Sequence, residues 1–277
     1  MKRIAYLGLK TLLVSGLVAG LAVVGKKEMD YRKGKADYDS AKELAGLLWQ
    51  DGRGASGPEG AGDMPKGADA KPSRGPADPF GATLAKLDFA ALQEVNPDVV
   101  GWIAIPGSNL SYPLLQGEDN EYYLNHTWKK EANSVGAIYL DCRVNGDLED
   151  FNTIVYGHRM RNLSMFGELK YYEGYSYWEE HPYVYIAVSG GVYRYHIYSA
   201  YEAALDQNTY GVGIARQETK EDFIRYGLGH SVIDTGVAPS AEGHVLTLST
   251  CTGDGHSTRW VVQAVRDSKQ EIRPWQQ

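Results

Sequence analysis

The sequence has few cysteines and no excess of basic residues. Only two cysteines occur among 277 residues, which excludes a disulfide-dense scaffold and a four-cysteine zinc site. Lysine and arginine together number 28, against 35 aspartates and glutamates, so the net charge is −7. Without a basic stripe the chain does not read as a nucleic-acid-binding protein. We therefore expect no nucleic-acid partner, no metal site and no other cofactor.

Signature motifs of several enzyme classes are also missing. The sequence has no His-Glu-x-x-His motif, and the glycines at 211–213 lack the strand–loop–helix frame and the lysine of a phosphate loop. The adjacent acids at 149–150 and 179–180 are interpreted as solvated loop charges rather than paired glycosidase carboxylates. No internal repeat is evident. Candidate functional residues therefore have to be identified from individual side chains at the ends of predicted strands.

The segment 244–265 provides the first such side chains. A β-branched run carries Cys251 to its C-terminal end, a polar glycine-containing loop follows, and Arg259 opens the next apolar run. If two adjacent strands carry these residues, a thiol and a permanently charged guanidinium share one cleft, where the cation can stabilise a thiolate or an oxyanion. The alternative is a buried core thiol and a surface arginine.

A histidine upstream favours the catalytic interpretation. The run at 152–156 ends in Gly157 and His158, and the glycine allows the sharp turn that would direct the imidazole into a cleft. A cysteine and a histidine at separate strand ends suit a nucleophile and its acid/base partner. His256 is the local rival, but it lies in a polar loop without an orienting strand. We interpret Cys142 as a free strand thiol, the alternative being a disulfide with Cys251.

These segments resemble those of a known family. The sequences TLSTC, RWVV and YGHRM are similar to motifs of the sortases, the cysteine transpeptidases of Gram-positive cell surfaces. The segments at 96–116 (NPDVVGWIAIPGSNLSYPLLQ) and 119–126 (DNEYYLNH), with the long stretch at 201–243, extend the resemblance to the class B branch over residues 84–268. One departure is a shorter loop between the cysteine and the arginine.

The resemblance implies a mechanism and its partners. Cys251 would be the nucleophile, His158 the general acid/base and Arg259 the electrostatic stabiliser. The enzyme would cleave a sorting-signal peptide after threonine and pass the acyl group from a thioester to an amine, on a peptidoglycan precursor or a pilin lysine. A surface peptidase that uses water, and a non-catalytic tethered binding module, remain as alternatives.

The fold class follows from many short strand patterns and few helical ones, which favour a mainly β protein with a closed or nearly closed barrel. The sortase resemblance implies seven or eight strands with peripheral helices. Twenty tyrosines against five phenylalanines indicate half-exposed sheet surfaces and a polar aromatic cleft, although strand propensity alone also explains aromatic residues.

The sequence predicts that the chain is divided into four segments. Residues 1–25 are apolar after a basic start, apart from Lys10, Thr11 and Ser15, and are long enough to span a bilayer core of about 30 Å. They are interpreted as a signal anchor with the N-terminus cytoplasmic, the alternative being a cleaved signal peptide. Residues 26–50 form a charged juxtamembrane segment and 51–82 a Gly/Pro-rich disordered linker. Residues 83–277 form the catalytic domain, outside the cell.

Overall fold

Strands dominate the computed structural model, which describes residues 2–47, 78–205, 207–252 and 257–271. Within these ranges eight strands form a closed barrel, as expected. The strands are β1 (Val99–Ala104), β2 (Ser111–Leu115), β3 (Ile138–Leu140), β4 (Asn152–Tyr156), β5 (Tyr183–Val188), β6 (Gly191–Ala204), β7 (Val245–Cys251) and β8 (Thr258–Glu271).

The order of strands around the barrel is β1-β2-β3-β4-β7-β8-β6-β5. Two pairs, β2–β3 and β4–β7, are parallel, and the others are antiparallel. Side chains such as Trp102, Ile138, Leu248 and Val262 are fully buried in the main core. The parallel pair β4–β7 matters for function, because parallel strands end at the same edge of a sheet.

Helices surround the barrel. They are α1 (Lys2–Leu44), α2 (Pro79–Leu84), α3 (Phe89–Val95), α4 (Tyr175–Glu180), α5 (Gln207–Tyr210) and α6 (Gln217–His230), with 3₁₀ turns at Tyr122–Leu124 and Gly167–Glu173. Asp78 and Asp88 cap α2 and α3 by accepting hydrogen bonds from Gly81 N and Ala91 N, at 2.9 and 3.0 Å.

The first helix reaches the barrel with its C-terminal part. The Tyr38 hydroxyl donates to Gly136 O at 2.6 Å, and Trp128 Nε1 donates to Asp37 O at 2.7 Å. Ala41 is fully buried beside them. The charged segment 26–50 is therefore partly a docking element. In the described part of the chain, no helix is long and apolar enough to cross a membrane.

Several sequence-based expectations need correction. Strand β2 is not predicted by the sequence pattern, because Pro113 in its middle is a residue that strands usually avoid. The Thr-x-x-Asp pattern at 219–222 predicts a helix that is capped by Thr219. The helix is present, but α6 begins at Gln217, and its N-cap Arg216 makes no side-chain capping bond. Most of the predicted linker, residues 51–77, lies outside the described residues, and α2 begins within its last part, at Pro79.

Candidate active site

Two parallel strands bring the candidate histidine and cysteine to one edge of the barrel. Strand β4 pairs with β7 so that Tyr156 lies opposite Ser249, and Gly157 N donates to Ser249 O at 3.3 Å. His158 lies two residues beyond the end of β4, and Cys251 is the last residue of β7. Because the two strands run in the same direction, both side chains emerge at the same end.

Gly157 allows the close turn that precedes the histidine. A Cβ atom at this position would collide with Ile138 Cδ1 and would lie 2.9 Å from the Phe166 ring. Real Cβ atoms do not approach their neighbours so closely, so a larger residue would displace the turn. Gly157, which the sequence predicts to allow a sharp turn before His158, thus also lies where close packing disfavours a side chain.

The antiparallel hairpin β7–β8 places the arginine beside the cysteine. Cys251 and Arg259 are direct cross-strand partners, so their side chains leave the sheet on the same face. Arg259 Nη1 donates to Thr258 O at 3.0 Å. The remaining loop residues 253–256, which include Asp254 and His256, lie outside the described residues.

All three candidate residues line one cavity of about 440 Å³. The walls combine these groups with aromatic and small polar side chains: Asn120, Leu124, Ala137, Tyr139, Arg143, Tyr156, Gly157, His158, Leu205, Tyr210, Ser249, Thr250, Cys251 and Arg259. Both Cys142 and Cys251 are unpaired, half-buried thiols. Among the described residues, no group of three or more His, Cys, Asp or Glu side chains is arranged to hold a metal ion.

The imidazole of His158 is oriented by the loop that precedes β3. Its Nε2 lies 2.5 Å from Leu124 O. Because a carbonyl oxygen can only accept a hydrogen bond, Nε2 carries the proton, and Nδ1 is the nitrogen that remains for proton transfer. A Cβ atom on Gly136 would lie 2.9 Å from His158 Cδ2, so the backbone of this loop also packs against the ring.

A second link ties the histidine segment to the end of β7. Arg159 Nη1 donates to the carbonyl oxygen of Thr252, the residue after the cysteine. Phe166 N donates to His158 O at 3.0 Å. The loop after β4 is therefore attached both to the cysteine strand and to its own return segment, which fixes the two candidate groups relative to each other.

A buried carboxylate behind the cavity is a feature that sequence reasoning missed. Asp141 is fully buried. It accepts hydrogen bonds from Arg143 Nε at 2.9 Å and Nη2 at 2.7 Å, and from the Tyr156 hydroxyl at 2.9 Å. Burial raises the pKa of the Asp141 carboxyl, but the hydrogen bonds from Arg143, Asn120 and Tyr156 outweigh it and leave the pKa at about 2.

Tyrosines form much of the cavity wall, as the polar aromatic composition indicated. Burial, reinforced by the nearby negative charge of Asp141, raises the pKa values of Tyr139 and Tyr156 well above the ordinary range. Both phenols therefore stay protonated at neutral pH and act as hydrogen-bond donors. The Tyr210 hydroxyl lies 2.9 Å from Ser249 Oγ and extends this polar wall to β7.

Comparisons with known proteins match the barrel of this chain to one family. A family model described as a sortase domain matches residues 103–267. Sortase B of Listeria monocytogenes is 34% identical over 174 residues, which cover 62% of this chain and 71% of that protein. The crystal structure of Staphylococcus aureus sortase B superposes with a TM-score of 0.61 at 32% identity, covering 64% of this chain and 85% of that one. A Staphylococcus aureus sortase B–substrate complex at 24% identity shares the fold, with a TM-score of 0.69 and coverages of 88% and 100%.

Proposed function

Because the chain belongs to the sortase family, in its class B branch, it is a cysteine transpeptidase, and we propose that Cys251, His158 and Arg259 carry out its reaction. The observation that supports these roles is a single cavity edge. Cys251 and Arg259 face each other across β7–β8, and His158 follows the parallel neighbour of β7. All three line the same cavity.

The first half-reaction forms a thioester. The Cys251 thiolate attacks the carbonyl carbon of a peptide bond in a sorting signal, after threonine. The carbon–nitrogen bond breaks as His158 gives a proton to the departing amine, and the acyl group remains on Sγ. The thiolate is the nucleophilic form of cysteine, and a neighbouring cation favours it. The guanidinium of Arg259 supplies this charge and can also donate to the oxyanion.

The second half-reaction transfers the acyl group to an amine. A neutral amine attacks the thioester carbonyl, His158 accepts the amine proton, and the Cys251 thiolate leaves. The acceptor is the amine of a cell-wall precursor or of a pilin lysine. The Nε2–H of His158 is held by Leu124 O, so Nδ1 would exchange the proton in both directions.

Sortases act at the cell surface, and we propose that residues 1–25 anchor this one to the membrane, with its N-terminus in the cytoplasm. The support is the apolar composition of residues 4–25 and the exposure of large apolar side chains on α1. Leu17, Val18, Leu21 and Val24 are each about 60% exposed or more. Deleting residues 1–25 should release the protein from the membrane fraction, and a deletant that stays there would refute the anchor.

The enzymatic roles can be tested on the full chain in detergent. A library of quenched sorting peptides is incubated with and without amine acceptors, and mass spectrometry follows acyl adducts on Cys251. We expect a thioester that passes to the amine, no adduct in Cys251→Ala, and adduct formation slowed at least about a hundredfold in His158→Ala and Arg259→Ala. Cys142→Ala is the matched control for a thiol outside the cavity wall and should react normally.

Two other outcomes would each favour an alternative function, and a third would remove the role of one residue. Cleavage at the same rate with and without amine, giving only hydrolysed peptide, would favour a surface cysteine peptidase. Binding of peptides without any cysteine-dependent adduct would favour a tethered binding module. A normal rate in Arg259→Ala would remove the electrostatic role assigned to that residue.

A further inference from the structure

The cavity contains a second guanidinium that the proposed reaction does not use. Arg143 lines the same cavity as Cys251 and Arg259. Its side chain is half exposed, whereas its partner Asp141 is completely buried. The guanidinium therefore lies between a buried carboxylate on one side and the open cavity on the other.

The hydrogen bonds of Arg143 leave one defined edge of its guanidinium for a ligand. Asp141 receives Nε–H at 2.9 Å and one Nη2–H at 2.7 Å, which occupies the side edge of the planar group. The end edge, formed by Nη1 and the second Nη2 hydrogen, is not bonded to Asp141, and the half-exposed side chain lines the cavity. Tyr156, which donates to the same carboxylate, also contacts the guanidinium. Two parallel N–H donors at a fixed spacing match a carboxylate in bidentate geometry.

The charge of the cavity favours an anionic ligand. The protein as a whole is acidic, with a net charge of −7. In contrast, the described residues that line this cavity include two arginines and a histidine but no aspartate or glutamate. The hydrogen bonds to Asp141 already hold the guanidinium in one orientation, so the Arg143 side chain loses less conformational entropy when a ligand binds.

We propose that Arg143 forms a carboxylate-binding subsite in the cavity, with its end edge bidentate to a carboxylate of a reacting partner. Two sources supply such a group: an acidic side chain of the sorting peptide, or a carboxylate near the nucleophilic amine of the acceptor. Either one would be held beside Cys251 by a rigid charged contact. The proposal extends the proposed transpeptidase function by naming a chemical feature of its ligand.

Matched pairs of probes distinguish the two sources. In the acceptor arm, glycylglycine is compared with glycylglycine amide, and Nα-acetyl-lysine with Nα-acetyl-lysinamide. In the donor arm, sorting peptides that carry Glu or Asp are compared with the same peptides carrying Gln or Asn. The readout is the ratio of rates for the carboxylate and amide forms. Because this ratio is internal to each variant, general damage to the enzyme does not change it.

The variants separate charge from geometry. Arg143→Gln should reduce the carboxylate preference about tenfold in one arm, which corresponds to about 1.4 kcal/mol, and Arg143→Lys should retain only part of it. Arg225→Gln, which breaks an exposed pair with Asp222 on α6, should leave the preference unchanged. If Arg143→Gln fails to fold because Asp141 loses its partner, the double variant Asp141→Asn/Arg143→Gln, which removes both charges, is used in place of the single variant.

A second readout does not depend on turnover. The rate at which iodoacetamide alkylates Cys251, followed by mass spectrometry, falls when a probe occupies the cavity and gives its apparent Kd without thioester chemistry. Stronger protection of Cys251 by the carboxylate forms, lost in Arg143→Gln, supports the subsite. It does so even if no peptide acylates the enzyme, because a lack of acylation would overturn only the proposed function. Equal protection and equal rates for both forms, or a preference unchanged in Arg143→Gln, would overturn the subsite.

Discussion

Replacing the buried carboxylate Asp141 with asparagine should destabilise the protein in a pH-dependent way. Its pKa falls from 3.8 to about 2 in the folded protein, and one pKa unit corresponds to 1.36 kcal/mol. The ionised carboxylate therefore contributes about 2 kcal/mol to the free energy of unfolding at neutral pH. Asp141→Asn, which imitates the neutral form, should lose about this amount.

The direction of the pH dependence follows from the depressed pKa. The unfolded chain begins to bind a proton at this carboxyl near pH 3.8, whereas the folded chain keeps it ionised down to about pH 2. The contribution is complete above about pH 4 and is lost as the pH falls through the folded-state pKa. The difference in unfolding free energy between wild type and Asp141→Asn should therefore shrink below pH 4.

Denaturant unfolding of the full chain in detergent, followed by tryptophan fluorescence from pH 3 to 7, measures this difference. Asp222→Asn is the matched control, because Asp222 also pairs with an arginine but is exposed, and it should cost no more than about 0.5 kcal/mol. Equal costs for the two variants, or a cost for Asp141→Asn that does not change between pH 7 and pH 3, would refute the reasoning.

Three further substitutions test contacts that position the site and the barrel. Gly157→Ala should lower the free energy of unfolding by about 1–3 kcal/mol and slow thioester formation, because the new Cβ would collide with Ile138. Gly190→Ala is the control, because a Cβ there would lie in open space. Equal behaviour of the two variants in unfolding and acylation assays would contradict the packing argument. Tyr38→Phe removes the hydrogen bond to Gly136 O and should cost about 1 kcal/mol in chemical denaturation, and no loss would show that α1 docks by packing alone. Tyr198→Phe removes the hydroxyl that donates to Gln263 Oε1 at 2.8 Å, and it should lower the free energy of unfolding by about 1–3 kcal/mol. Tyr175 is exposed, so Tyr175→Phe should be near neutral. A thermal melt that ranks the two variants otherwise would refute the burial argument.

The sequence predicts well those parts of the fold in which local pattern and tertiary environment agree. Strand β4 coincides with the run at 152–156, and β5 and β6 coincide with runs rich in β-branched and aromatic residues on either side of the turn at 189–190. The three candidate residues could be named because each lies at a strand end with an adjacent turn signal. The closed barrel follows from the number of short strands together with the family resemblance.

Features that depend on register or on distant partners could not be predicted. Strand β2 could not be predicted because it contains Pro113, and its pairing with β1 and β3 is seen only in the folded sheet. The bond from Tyr38 to Gly136 joins residues 98 positions apart, and no local pattern marks it. Arg143 and Asp141 lie two positions apart, but the burial that makes their pairing significant comes from the packed barrel.

The place of β8 in the barrel has a consequence for biosynthesis. This strand is the last of the eight in chain order, yet it lies between β7 and β6. Until β8 is made, both neighbours present an unpaired backbone edge, which is a template for association with other chains. A chain made only as far as the end of β7 contains Cys251 but lacks Arg259, which lies on β8. If Arg259 has the electrostatic role proposed for it, the site is complete only once β8 has paired with β7, because Arg259 lies on this last strand opposite Cys251.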